Sequence, residues 1–259
     1  MAAGKSSGRG SFSLQDILGE AVSTLGANPL TIGTSVFLLS VAPTMLLTYA
    51  FGRFREGYYG AFGFAPGLVI LAGIAIFTFA LSSIADGAVI QATLARAGGR
   101  RASFGECLDV GFSNALRLLG VTVLASLGMA AAAIALLVPA IILACSWSVA
   151  RPAAVVERLG PTDALARSQN LTRGARWKIF ALLATFGVAG FIVRSIELAV
   201  SGGALLHVAA WRTPAGYVLH ALDATLMGAL TRIAYALVYE ALRASKEGPR
   251  TDRLEEIFA

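Results

Sequence analysis

The chain has 259 residues, of which 56% are hydrophobic and only 14% charged, with 28 glycines and a formal net charge of +6. A soluble domain carries charge at roughly one residue in four, and a basic nucleic-acid module needs a solvated face that so apolar a chain does not offer. With a mean hydropathy of +0.72, the composition predicts an all-α membrane protein and sets nucleic acid aside as a partner.

Taken in order, residues 1–12 are polar and predict a disordered cytoplasmic N-terminus without a cleaved signal peptide. In "SLQDILGEAVSTLGAN", Leu14, Ile17, Leu18, Ala21, Val22 and Leu25 recur at helical spacing, and Ser13 with Asp16 reads as a helix start. Apolar runs follow at about 30–51 and 66–95, with Tyr58, Tyr59 and Phe62 between them. "SFGECLDVGFSNALRLLG" repeats the start signal as Ser103 and Glu106, and places Phe104, Leu108, Phe112, Ala115 and Leu119 on one face. The stretch 118–157 is nearly uncharged and about twice the roughly 20 residues that one crossing requires. Pro139 near its middle suits the first turn of a new helix, so the stretch predicts a hairpin of helices at about 118–136 and 139–157. "PTDALARSQNLTRGARW" is a third short helix with a thinner stripe of Ala164, Leu165 and Leu171, ended by Gly174, and runs at 179–201 and 215–242 complete six crossings.

An even number of crossings leaves both termini on one side, and the cations choose which. Of the 21 Lys and Arg, fifteen fall on the termini side, Arg53, Arg55 and Arg212 fall opposite, and Arg151, Arg194 and Arg232 lie within apolar runs. The expectation is a bacterial cytoplasmic (inner) membrane protein, multi-pass, with both termini cytoplasmic and with Trp211 joining the outer-loop tyrosines as interfacial aromatics. A surface helix followed by a helical hairpin occurs three times, at about 13–99, 103–158 and 161–245. That predicts six transmembrane helices with three cytoplasmic-side amphipathic interfacial helices in one domain, 13–245, and a cytoplasmic tail over 246–259.

The run Val138 to Phe180 carries Pro139, Trp147, Pro152, Val156, Glu157, Ala164, Leu165, Ser168, Leu171, Thr172, Gly174 and Trp177, and the C-terminus reads "YEALRASKEG" and then "LEEIF". In these positions the chain resembles the bacterial multi-pass family named after the membrane domain of glycerophosphoryl diester phosphodiesterase, and the related YciC-like family of inner-membrane proteins. Cys145 and Ser146 stand where that pattern often has a cation before the aromatic, so no role passes to a cation there. The resemblance implies a membrane fold and not an esterase, since the catalytic barrel that gave the family its name has no counterpart here.

Two groups of residues are candidate sites. Arg167, Arg173, Arg176 and Lys178, with Trp177, precede the fifth crossing on the cytoplasmic side, where each cation near anionic lipid headgroups is worth about 1 kcal/mol. The plainer alternative, favoured by the generality of the rule, is positive-inside anchoring with Trp177 at the interface. Within the crossings, ionisable residues cost a few kcal/mol when unpaired and are functional suspects. Asp86 and Arg232 lie at similar depth, ten and eleven residues before Arg96 and Arg243, and Arg151 is shallower, so Asp86 is expected to pair with Arg232 or Arg151. A clamp between helices and a polar pathway are the two readings of that pair. Arg194 and Glu197, three apart on one helix, satisfy each other.

Small residues at Ala131 and Ala135, and at Ala221, Thr225 and Ala229, permit close helix approach within one chain or between copies. His207 and His220 lack further ligands at metal spacing, Cys107 and Cys145 have no redox or metal pattern, and the Asn170–Thr172 sequon is idle on a cytoplasmic loop. No phosphate loop or nucleophile motif is present, so no catalytic residue, metal or cofactor is assigned.

These features predict a non-catalytic inner-membrane protein, envelope- or lipid-associated or an accessory subunit of an assembly, with anionic lipid as partner and a protein partner or homo-oligomer left open. The alternative is a small transporter or lipid-handling protein with Asp86, Arg151 and Arg232 along a polar path, and third comes an enzyme acting on headgroups. A water-reachable cavity at those residues favours the path, and a dry contact favours the clamp.

Overall fold

The computed structural model describes residues 13–48, 64–135, 137–200 and 214–248, and every regular element among them is helical. Tyr58, Tyr59, Phe62, His207 and Trp211, and the cations Lys5, Arg9, Arg53, Arg55, Arg212, Arg250 and Arg253, lie outside the described residues. In chain order the helices are α1 (Leu14–Ala27), α2 (Pro29–Thr48), α3 (Phe64–Ala97), α4 (Phe104–Ala135), α5 (Leu137–Trp147), α6 (Ala150–Val156), α7 (Pro161–Thr172), α8 (Arg176–Val200) and α9 (Pro214–Glu247). Six stretches among the described residues are long and apolar enough to cross a membrane: Pro29–Thr48, Ala72–Ala97, Phe104–Ile134, Val138–Val156, Arg176–Glu197 and Gly216–Glu247.

Local chemistry sets most of the boundaries. Asn28 ends α1 and Pro29 opens α2, because a proline cannot donate to the preceding turn but fits the first helical position. Gly174, at φ 86°, turns the chain between α7 and α8 in a conformation that side chains with a Cβ avoid. The start at Ser103 is a true cap, since its Oγ accepts from the Glu106 N–H at 3.2 Å, whereas Ser13 makes no side-chain cap.

One expectation is corrected. The second surface helix is not separate from the third crossing: α4 runs unbroken from Phe104 to Ala135. The sequence there offers Gly120 alone, which a helix tolerates, and Gly120 lies under the ring of Pro161, where an added Cβ would come within 2.6 Å of Pro161 Cγ. The stripe of Phe104, Leu108, Phe112, Ala115 and Leu119 lies beside the packed face. Phe112 is exposed, while Cys107, Gly111, Asn114, Leu118 and Val121 face inward. Further on, the fourth crossing breaks after Trp147 and resumes at Ala150, two residues before Pro152.

The tightest contact joins α3 and α4. A Cβ at Gly111 would lie 2.5 Å from the Ile84 carbonyl oxygen, and one at Gly87 would lie 2.7 Å from Gly111 Cα, so the two backbones touch and only glycine fits. Helix α9 packs against α1, α2, α3, α6, α7 and α8. Its Ile233, Leu237, Val238 and Tyr239 join Val36, Val89, Ile179 and Leu182 in the main core, and Leu118, Val121, Ala154 and Leu165 form a smaller one.

Candidate functional site

Asp86 is 3% exposed, and its carboxylate is held from two helices. Arg232 Nε of α9 donates to Oδ1 at 2.5 Å, and Arg151 Nη1 of α6 pairs with Oδ2 at 3.3 Å. Arg232 Nη2 then donates to Ser40 Oγ and Ser82 Oγ, both at 3.0 Å, and Nη1 to the Gly228 carbonyl at 3.3 Å. Ser40 lies in a π-helical turn, Phe37–Val41, inside α2. Such a turn inserts one residue and re-aims its neighbours, and here it carries a hydroxyl to the guanidinium. One buried carboxylate thus ties α2, α3, α6 and α9 together.

The arginines have a second side. Arg232, Arg151 and Arg194 line a cavity of about 430 Å³ between α6, α8 and α9, together with Asp223, Thr231 and Tyr235. The Arg151 and Arg194 side chains remain 40% and 48% exposed, whereas Asp86 is not among the lining residues. At Arg194 the structure adds a partner that sequence spacing missed: its Nη1 lies 2.8 Å from His220 Nδ1 as well as 3.5 Å from Glu197 Oε2. A second cavity of about 270 Å³, lined by Ser40, Thr44, Thr48, Tyr217 and His220, shares Arg194 and Ala224 with the first.

The cation cluster before the fifth crossing divides. Arg167 is drawn inward, donating from Nε to both Glu157 oxygens at 3.0 and 2.9 Å and from Nη2 to Glu247. Burial opposes its charge, but these carboxylates more than offset that and hold the guanidinium above its ordinary pKa. Tyr239 donates its hydroxyl to Glu157 at 2.7 Å, so the knot joins the end of α6, α7 and α9. Lys246 of α9 donates to the Asn170 and Arg173 carbonyls at 2.6 and 3.1 Å, placing a cation on the last turn of α7. Arg173, Arg176, Trp177 and Lys178 stay exposed, Trp177 at 83%, with its ring edge-on to Phe180 at 5.9 Å.

Sequence reasoning missed Ser40, Ser82, Asp223, Tyr235, Tyr239 and Glu247. Glu247, four residues after Arg243 and 3.3 Å from its Nε, carried an available signal in that spacing; the serines carried none. Among the described residues no group of three or more His, Cys, Asp or Glu converges as a metal site. Comparison with protein-family models, with curated proteins and with solved structures finds no match to this chain.

Proposed function

We propose that the chain is a non-catalytic protein of the bacterial inner membrane whose cytoplasmic face engages anionic lipid. The observation that carries this reading is the exposed set Arg173, Arg176, Trp177 and Lys178 at the turn where the Arg176–Glu197 crossing begins. Three cations and an indole at the start of a crossing suit a layer of phosphate headgroups above an apolar boundary. On this reading both termini are cytoplasmic and α1 and α7 lie along the inner face. The resemblance of Val138–Phe180 to the glycerophosphoryl diester phosphodiesterase membrane-domain family supports the same placement.

The triple variant R173Q/R176Q/K178Q, purified with its native lipids and weighed intact by native mass spectrometry, is expected to insert normally and to lose most of its co-purifying anionic lipid. Unchanged lipid retention reduces the cluster to a redundant anchor. A cysteine at Gly99, between α3 and α4, should react with an impermeant thiol reagent only from the cytoplasmic side.

A second reading, a small transporter or lipid-handling protein, is favoured by one observation: the cavity beside Arg151 and Arg232 is open, although Asp86 behind them is dry. Transport predicts flux through reconstituted vesicles that Arg232 variants abolish.

A further inference from the structure

The cavity between α6, α8 and α9 is electrically polarised, and the geometry points to a binding site for a phosphoryl anion at its Tyr235 end. That end presents two guanidinium groups, Arg151 and Arg232, which share a single carboxylate, Asp86. The Asp223 end presents one guanidinium, Arg194, which faces Glu197, beside Asp223 itself. The Tyr235 end thus sets two cationic side chains against one acidic one, and the Asp223 end one cationic side chain against two acidic ones. All of these residues lie within crossings.

An accessible guanidinium at such depth is costly unless water or a counter-charge meets it. Arg151, which lines the cavity and has a side chain 40% exposed, is the group that an incoming anion reaches, while Arg232 is braced from behind by Asp86, Ser40 and Ser82 and so holds a fixed orientation. Arg232, with its other donors taken by Asp86, Ser40, Ser82 and Gly228, has one Nη1 N–H left to offer, so a contact to two phosphoryl oxygens at once falls to Arg151. Thr231 and Tyr235 lie on the same wall, with the Thr231 hydroxyl donating to the Met227 carbonyl at 2.7 Å. A volume of about 430 Å³ accommodates a phosphate or a phosphodiester headgroup. The shared chemistry is the phosphoryl group, whether it arrives as a lipid headgroup or as a free anion. This site deepens the second reading, but it is separate from the exposed cluster on the cytoplasmic face and does not depend on it.

The full chain, in phosphatidylcholine nanodiscs, is titrated with inorganic phosphate by calorimetry, and in parallel reconstituted with phosphatidylglycerol and weighed by native mass spectrometry. Three variants accompany it: R151Q, R151K, and R173Q/R176Q/K178Q. The expected result is saturable binding in at least one arm, weakened at least ten-fold in R151Q and less in R151K; the triple variant keeps phosphate binding within two-fold, and in the lipid arm it keeps the bound lipid that R151Q loses. Binding in the phosphate arm identifies a free anion, and binding in the lipid arm alone identifies a headgroup. R151Q is partly exposed and should remain folded by circular dichroism; if it does not, R151K and the charge reversal D223K, which adds a cation at the far wall, carry the comparison. Absence of saturable binding in both arms, or R151Q binding within two-fold of the parent while folded, overturns the proposal. Loss of lipid in the triple variant alone would instead uphold the cytoplasmic-face reading and dispose of the cavity site.

Discussion

Removing the charge of Asp86 tests the central contact most directly. In D86N the side chain keeps its shape, yet Arg232, with a side chain 16% exposed, loses the one carboxylate it pairs with among the described residues and retains the neutral oxygens of Ser40, Ser82 and Gly228. Breaking a buried ion pair by taking away one partner costs about 3–5 kcal/mol, because the other charge stays behind. The remaining acceptors place D86N toward the lower end of that range, and Arg151 adds little, since an exposed partner is worth about 1 kcal/mol or less. For a chain of this size the apparent Tm should fall by on the order of 10 °C. The assay is thermal unfolding in a mild detergent, followed by aggregation on size exclusion. R151Q, on the other oxygen of Asp86, should lower Tm far less. The double variant D86L/R232M, which removes both charges together, should recover most of the loss, as apolar replacements of buried pairs commonly do. A D86N protein with the Tm of the parent, or a double variant no better than D86N, would refute the reasoning that this carboxylate clamps four helices.

Three further outcomes are expected. G111A should destabilise by about 1–3 kcal/mol as an overpacked contact, read as a lower Tm, whereas G105A on the same helix, with nothing within 4 Å of the new methyl, should be neutral or slightly stabilising. Y239F removes one hydrogen bond to the Glu157 carboxylate and should cost about 1.5–3 kcal/mol, while R167Q strips a partner from both Glu157 and Glu247 and should in addition speed tryptic cleavage at Lys246. D223N removes a carboxylate from the cavity wall and should tighten phosphoryl binding by a few-fold in the titration that tests R151Q, whereas weaker binding would place the anion elsewhere.

The crossings were legible because membrane span depends on length and composition, and those survive without any knowledge of packing. Asp86 and Arg232 were legible as partners because similar depth, ten and eleven residues before Arg96 and Arg243, is a count along the chain, and the contact follows if the two helices are neighbours. Orientation was not legible. In water an apolar stripe marks the buried side of a helix, but in lipid both sides are apolar, so Phe112 and Leu116 point outward while Asn114 and Gly111 point in. The second surface helix failed for a related reason: an apolar stripe that suits a membrane interface also suits a lipid-facing helix, and only a breaker such as Pro29 or Gly174 separates the two. Ser40 and Ser82 left no trace because their role depends on a π turn in one helix and on the rotation of another.

The break in the fourth crossing shows how the fold handles backbone that is not helical at membrane depth. When α5 stops at Trp147 its last carbonyls lose their intrahelical donors, and Pro152 has no N–H to give to the turn before it. A carbonyl left bare in that setting costs several kcal/mol. Helix α7 supplies the replacement: Ser168 Oγ donates to the Ser146 carbonyl at 2.7 Å, and Thr172 Oγ1, which donates to the Ser168 carbonyl at 2.9 Å, lies 3.3 Å from the same Ser146 oxygen; both residues are fully buried. Trp147, Ala164 and Leu165 pack around this point in the smaller core, and Leu171 is buried on the same helix. Trp147, Pro152, Ala164, Leu165, Ser168, Leu171 and Thr172, which carry the resemblance noted in the sequence, therefore make one device that lets a crossing break without exposing its backbone. That assigns them to architecture. Arg151, two residues past the break at Ser148 and Val149, lies outside that set and lines the cavity.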